Sequence, residues 1–363
     1  MIFNMILCAF IVIVYLLTRL GKMNKKTKNK LFLIIVFVAL FIIIASREMT
    51  VGNDTSAYLD LYKKCDLYKW EILDMNSYFE RGYLAFSVLL SYLHISSRMF
   101  LCILGLICSY AIYRFIKENS NNYLMSVLLF VNLLFLYQSM NMMRQFLALS
   151  LILLLGFKFV KEKKIIKYII TVLFATLFHS TALIAVFIYP IYHLKYTRKR
   201  VLLIIVCAFL GLILLNQIYP FVASFFDKEI YYTNMIGEAK LGNLVSTLVF
   251  LTMYIFSLFV IRQNERQKYS FYLYSLLFAA AIYFVSINMA VLSRVSQYYA
   301  IFSIIALPNI IEANIRESKI LLESVVISLF MLYSSVIMIN KPEWNSAYDY
   351  KTCLMPEKEY ICE

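Results

Sequence analysis

Glycine and proline are scarce in this chain, at 8 and 5 among 363 residues. No Gly/Ser-rich linker, low-complexity segment or internal repeat divides it, so residues 1–363 read as a single domain. Charged residues make up only 15%, too few to cover the surface of a soluble protein of this size. Histidine occurs three times. There is no CxxC, no HExxH and no cluster with metal-ligand spacing, so neither metal nor cofactor is expected. A Walker loop and a dinucleotide fingerprint are also missing, which argues against ATP hydrolysis and nicotinamide chemistry.

What fills the chain is apolar: 62% hydrophobic residues, with a mean hydropathy of +0.76. The pattern predicts an all-α, polytopic membrane protein. About twelve spans are expected, at 2–20, 31–46, 98–116, 123–138, 143–160, 165–178, 180–194, 201–219, 244–261, 270–289, 293–311 and 320–339. The first run carries its basic residues after it and is followed by no small-residue cleavage site, so it is expected to be a span. Lysine and arginine crowd into 21–30, 158–167, 195–200 and 262–268, joined by Arg114/Lys117 and Arg316/Lys319. With twelve spans these segments share one side, which the positive-inside rule makes cytoplasmic. Both termini are then expected outside, with an outer loop at 47–97, a second at 220–243 and an outer tail at 340–363. The net charge of +14 fits anchoring against anionic membrane lipid and requires no nucleic acid.

Three apolar stretches each carry one ionisable side chain near the middle. Residues 123–157 hold only Arg144, 168–192 only His179, and 269–311 only Arg294. Basic residues flank all three, so each reads as a hairpin whose polar apex faces outward. Intramembrane charges are costly and mark functional sites. Guanidinium offers a planar fork matched to phosphate or carboxylate, so a site for an anionic substrate is expected around Arg144 and Arg294. The bland alternative is snorkelling toward headgroups. The hairpin at about 165–194 is short: 14 or 15 residues reach only about 21–23 Å, less than a hydrocarbon core of about 30 Å. His179 is therefore expected at a sheltered turn. A silent packed histidine is the alternative.

In the first outer loop, Gly52 permits a tight turn, and Asp54 followed by Thr55 and Ser56 suits a helix start. Glu80 and Arg81 precede an apolar run at 83–93, too short to span and expected to lie against the core. Taken alone, Asp54 is more often a cap, and Glu80–Arg81 a solvated pair, than catalytic. Cys65, Cys353 and Cys362 fall outside, where disulfides are allowed. A Cys353–Cys362 staple would fit the tail, but no spacing requires it.

Several motifs occur in a fixed order: Arg47 with Val51-Gly52-Asn53-Asp54-Thr55-Ser56-Ala57-Tyr58, then Phe79-Glu80-Arg81-Gly82-Tyr83. They continue with Met143-Arg144-Gln145-Phe146-Leu147-Ala148, Leu177-Phe178-His179-Ser180-Thr181-Ala182-Leu183, and Ser293-Arg294. In this order and placement, over about residues 1–340, the chain resembles EpsG/Wzy-type exopolysaccharide or O-antigen polymerases. The family pattern often has Thr where this chain has Asn53. The resemblance implies a membrane glycosyltransferase at the outer face of the bacterial plasma (inner) membrane, with a C-type glycosyltransferase-like fold by analogy. Its substrate would be an undecaprenyl-diphosphate-linked oligosaccharide, and its partners a chain-length regulator and a flippase. Arg144, Arg294, Arg47 and Arg81 would bind the diphosphate. His179, Asp54 and Glu80 stand as alternative bases for the acceptor hydroxyl. A lipid-linked oligosaccharide flippase or transporter would use similar arginines, but should show repeated halves and charges along a central path. A membrane O-acyltransferase would also use an intramembrane histidine, though often facing cytoplasmic acyl-CoA.

Overall fold

The computed structural model of this chain describes residues 1–75, 78–224, 240–289, 292–315, 319–340 and 348–353. Its elements are helices. In chain order they are α1 (Ile2–Leu20), α2 (Lys25–Ser46), α3 (Thr55–Tyr68), α4 (Ile72–Met75), α5 (Arg81–Tyr92) and α6 (Ser97–Asn119). Then follow α7 (Tyr123–Asn132), α8 (Phe135–Asn141), α9 (Met143–Leu151), α10 (Phe157–Lys161), α11 (Ile165–Thr176), α12 (Ile188–His193) and α13 (Arg198–Ser224). The last five are α14 (Lys240–Val260), α15 (Ser270–Val285), α16 (Ser293–Ala300), α17 (Ser303–Asn314) and α18 (Lys319–Asn340). A π-helical turn at Ile152–Gly156 joins α9 to α10, and a 3₁₀ turn at Ser180–Phe187 leads into α12. Helix starts follow the expected chemistry. Asn24, Ser96 and Asn122 accept from the N–H groups of Thr27, Met99 and Met125 at 2.8, 3.3 and 3.1 Å.

The expectation of about twelve spans is corrected. Among the described residues six helices are long and apolar enough to cross a membrane: α1, α2, α6, α9–α10, Leu241–Val260 within α14, and α18. The count becomes seven if α7 and α8, bent by 51°, act as one. Apart from 201–219, which lies within the continuous α13, the remaining apolar runs are broken. Leu134 enters the left-handed region at φ +67° between α7 and α8. The 165–194 hairpin splits at His179, whose backbone is extended. The 270–311 run splits before Ser293 and again at Ile301–Phe302. Apolar composition counts a run as spanning whether or not its backbone stays straight, so it overcounted here.

The broken segments are internal. Every residue from Met125 to Tyr137 is buried, as are Ser296–Ile311. The long helices wrap around them and turn aliphatic side chains outward, such as Leu16, Ile42, Leu106, Leu248 and Leu329. This is the arrangement a bilayer permits, because irregular backbone survives there only when covered by protein. A buried polar knot ties the first and last helices to this interior. The Asn4 amide donates to Asn132 Oδ1 at 3.1 Å and to Ser334 Oγ at 3.2 Å, while Tyr137 donates to Asn4 Oδ1 at 2.9 Å.

The loop 47–97 folds into a small helical cap with its own apolar cluster. Tyr58, Leu61, Tyr62, Tyr83, Leu84 and Val88 pack there against Phe100 and Met143. Tyr62 stacks on Phe100 with centroids 4.2 Å apart. Cys65 is fully buried in this cluster, and burial pushes its thiol up to about 11. It is therefore an inert core residue, and its expected availability for a disulfide is corrected. The run at 83–93 forms most of α5, which rests on the cap and on the end of α11.

The tail residues 348–353 strap across the end of α2. Tyr350 stacks on Phe3 at 4.3 Å and donates to Ile43 O, while the Glu48 N–H donates to Lys351 O at 3.0 Å. The N-terminal end of α1, the cap and this strap thus share one end. The basic turns lie at the other: Lys28 donates to Arg19 O, Asn121 N–H to Asn309 Oδ1, and Lys161 to Asn119 Oδ1. The expected loop 220–243 falls mostly on 225–239, and Cys362 of the considered disulfide also lies outside the described residues.

Candidate functional site

The three lone ionisable residues stand at the three helix breaks. Arg144 is the second residue of α9, just past Met142, where the chain leaves helical geometry (ψ 57°). From Arg144 the nearly continuous run to Lys161 spans about 27 Å, so the site sits at the end away from the basic turns. His179 lies between α11 and the 3₁₀ turn, and Arg294 opens α16.

Glu80 of the cap joins two of them. One carboxylate oxygen, Oε2, accepts from Arg144 Nη1. The other, Oε1, lies 3.3 Å from His179 Nδ1 and accepts the Ser180 N–H at 3.1 Å. All three side chains are buried, with 9% of Glu80, 7% of Arg144 and 9% of His179 exposed. A carboxylate bonded to guanidinium can only accept, so His179 Nδ1 carries a proton, and in the neutral ring Nε2 keeps its lone pair. Nε2 is buried and makes no hydrogen bond.

The backbone explains why Glu80 reaches this far. Gly82 lies so close to α11 that a Cβ would stand 2.5 Å from Leu177 Cβ and 2.7 Å from Leu177 O. That approach lets the Tyr83 N–H donate to Leu177 O at 3.1 Å, which fixes the start of α5 beside His179. Gly52 acts similarly at the other edge. It adopts φ +99°, and a Cβ there would lie 2.8 Å from Met140 O. The Asp54 N–H then meets Asn141 Oδ1 at 3.1 Å, and the Thr55 hydroxyl donates to Val51 O at 2.8 Å. Polar groups freed by the α8–α9 break are thus answered by the cap, as burial demands.

An aromatic wall completes the Arg144 environment. Its guanidinium carbon lies 4.4 Å from the Phe79 ring centroid and 5.7 Å from those of Tyr58 and Tyr78. Burial lifts the Tyr58 phenol above its ordinary value against the pull of Arg144, so it remains a hydroxyl. Arg294 is half-buried and forms no ion pair among the described residues. Its charge still acts on both Tyr58 and His179. Gln145, next to Arg144, donates through Nε2 to Arg294 O at 2.5 Å, and Thr181 meets the Tyr298 hydroxyl at 3.5 Å. The α9, α16 and His179 segments therefore converge.

The structure brings together Glu80, Arg144, His179 and Arg294. It sets the other sequence candidates apart. Arg47 is 1% exposed. It donates to Ile44 O at 2.9 Å and to Met140 O at 3.5 Å, and it lies 3.1 Å from Met143 Sδ. It braces the end of α2 against the α8–α9 break. Arg81 is exposed on the outer side of α5, and Asp54 is half-buried at the start of α3 without a side-chain cap bond. Tyr58, Phe79, Gln145 and Gln297 were missed as site residues. The first three stand inside the recognised motifs, where their adjacency to charged residues was the available signal. Gln297 follows Arg294 by one helical turn. Among the described residues no group of three or more His, Cys, Asp or Glu could hold a metal ion. A polar cavity of about 510 Å³ opens at the opposite end, lined by Arg19, Lys25, Glu312, Lys319 and Glu323 among others. No member of the Glu80 cluster borders it.

No curated protein and no solved structure matches this chain. The EpsG family model matches residues 30–352, which include the cap, the three breaks and every residue of the site, and the chain belongs to the EpsG family.

Proposed function

We propose that this protein is a polysaccharide polymerase of the bacterial plasma membrane. It joins undecaprenyl-diphosphate-linked oligosaccharide repeat units at the outer face, with the cap and both termini outside. The Lys/Arg-rich turns at the opposite end support this orientation. The observation that carries the reading is the Glu80–His179 pair beside two guanidinium groups. It combines an oriented base with cations suited to a diphosphate.

In this reaction an acceptor sugar hydroxyl attacks the anomeric carbon of the donor glycan. His179 Nε2 takes the hydroxyl proton, and Glu80, hydrogen-bonded at Nδ1, holds the ring and stabilises the imidazolium that forms. The anomeric carbon–oxygen bond breaks, and undecaprenyl diphosphate leaves with the bonding pair. Negative charge grows on the diphosphate as it departs, so a pre-aimed cation stabilises the transition state more than the ground state. Arg294, without a carboxylate partner among the described residues, is the principal clamp. Arg144 is paired with Glu80 and anchors that carboxylate beside His179. Glu80, held by three donors, is a poor base, so His179 is chosen over Glu80 and Asp54.

The test is the glycan ladder of a deletion strain complemented with variants. Wild type restores long chains. His179→Ala and Arg294→Ala leave single repeat units on the outer leaflet while the protein accumulates normally. Long chains in the deletion strain, with no paralogue present, would sink the polymerase reading. Repeat units trapped in the inner leaflet would favour the flippase instead.

A further inference from the structure

Two amide oxygens next to Arg294 have no role in the mechanism above. Gln145 is 2% exposed and Gln297 4%, and both Oε1 atoms lack a hydrogen-bond partner among the described residues. The Gln145 orientation is constrained, and that of Gln297 follows from the direction of its bond to the Tyr283 hydroxyl, which can donate or accept. Gln145 Nε2 faces the carbonyl oxygen of Arg294, which can only accept, so the amide cannot be flipped. Gln145 Oε1 must then point elsewhere, needing a donor. Gln297 Nε2 lies 2.9 Å from the Tyr283 hydroxyl. Gln297 follows Arg294 by three residues on α16 and so shares its helix face. Leaving a buried amide oxygen unsatisfied is unfavourable, because its lost hydration is not replaced. Two such atoms on residues flanking Arg294 are a destabilising arrangement unless a ligand or an ordered water supplies donors.

We propose that Gln145 and Gln297 form a saccharide subsite beside Arg294, in which their amide oxygens accept hydrogen bonds from sugar hydroxyls. The ligand class follows from the chemistry. The two atoms are neutral acceptors, so they favour neutral donors, and the disubstituted diphosphate of a lipid-linked donor has none to offer at neutral pH. A pyranose offers several hydroxyls on one face, at spacings two side chains can meet. The inference rests on the polymerase reading and adds to it a site for a glycan ring at the diphosphate clamp. Recognition by buried polar groups is selective, because a ring lacking the hydroxyl leaves the acceptor unpaired.

The experiment uses purified full-length protein in detergent and two probes: a repeat-unit oligosaccharide released from the host's own polysaccharide, and inorganic diphosphate. Gln145→Met and Gln297→Met are compared with wild type and Arg294→Ala. Each methionine variant is expected to weaken oligosaccharide binding about tenfold, one hydrogen bond's worth, while diphosphate binding changes less than about twofold. Arg294→Ala should do the reverse. If both methionine variants bind the oligosaccharide as wild type does, or if wild type does not bind it, the subsite is wrong. If they lose diphosphate binding equally, the glutamines merely position Arg294 and the subsite is again wrong. Joining of lipid-linked units is assayed on the same preparations. Oligosaccharide binding that depends on the glutamines, without joining by wild type, would keep the subsite and remove the polymerase. Normal joining and binding by both methionine variants would do the opposite.

Discussion

Gly82→Ala should disable this protein without removing any reacting group. A Cβ at this position would lie 2.5 Å from Leu177 Cβ, 2.7 Å from Leu177 O and 3.0 Å from Leu177 C. Two of these are backbone atoms and cannot rotate away. Restoring ordinary contact at the carbonyl, from 2.7 to 3.4 Å, needs α5 to move by about 0.7 Å. Overpacking of this kind costs about 1–3 kcal/mol, and losing the Tyr83 N–H to Leu177 O bond adds about 1 kcal/mol. The same shift separates Glu80 from His179, whose 3.3 Å contact has little length to spare. A displacement near 1 Å can cost about a hundredfold in rate. The expected outcome is therefore a moderately destabilised protein with at least about tenfold slower chain growth. Gly21→Ala is the control, since a Cβ there meets only the Met23 methyl at 3.4 Å. The assay pairs the glycan ladder with thermal unfolding of purified protein. A Gly82→Ala protein that makes normal long chains would refute the claim that this contact sets the Glu80–His179 geometry.

Arg294→Lys should fold normally and lose most activity, because lysine keeps the charge but not the fork; full activity at normal protein level would mean that Arg294 only snorkels. Arg144→Met should destabilise by about 3–5 kcal/mol because it strands a buried carboxylate. Glu80→Gln in that background should recover part of the loss, and unfolding midpoints of the four proteins would detect an absent coupling. Activity should fall on the acid side as His179 Nε2 binds a proton before a hydroxyl can supply one, and a pH–rate profile without that limb would point away from an imidazole base. Cysteine labelling in intact cells should reach positions within 47–80 and spare 21–30 and 195–200 until permeabilisation; outside labelling of 195–200 would invert the proposed topology.

The end-to-end sorting of the molecule was legible in the sequence, whereas the number of crossings was not. Clusters of lysine and arginine keep their meaning in one dimension, because each sits next to the span it anchors. Hydropathy has no such property. Residues 123–141 are as apolar as a straight span, yet Leu134 turns left-handed and bends the pair by 51°. Nothing local marks the bend, since leucine carries no turn signal. The α8–α9 break just beyond is stabilised from far away in sequence, by Arg47, Thr55 and Asp54 of the cap reaching Met140 and Asn141. Arg47 shows the same limit for the site. Its charge and motif resembled those of a ligand-binding arginine, but the carbonyls it serves are exposed only by a break that composition cannot reveal.

The lone charges coincide with helix breaks for a physical reason. A straight helix in lipid satisfies its own backbone and gains little from an ionisable side chain at its centre. A broken helix leaves carbonyl and amide groups that need partners, and it lies inside the protein, where a charge can be shielded. The two therefore tend to coincide. Here Arg144, His179 and Arg294 each lie at or within two residues of a break. The missing element was Glu80, which lies outside the apolar runs and next to Arg81 looked like half of a surface pair. Burying it required Gly82, whose lack of a side chain lets the cap descend onto α11. Glu80 and Gly82 thus act together: the glycine sets the approach, and the carboxylate uses it to hold His179 and Arg144 in one cluster.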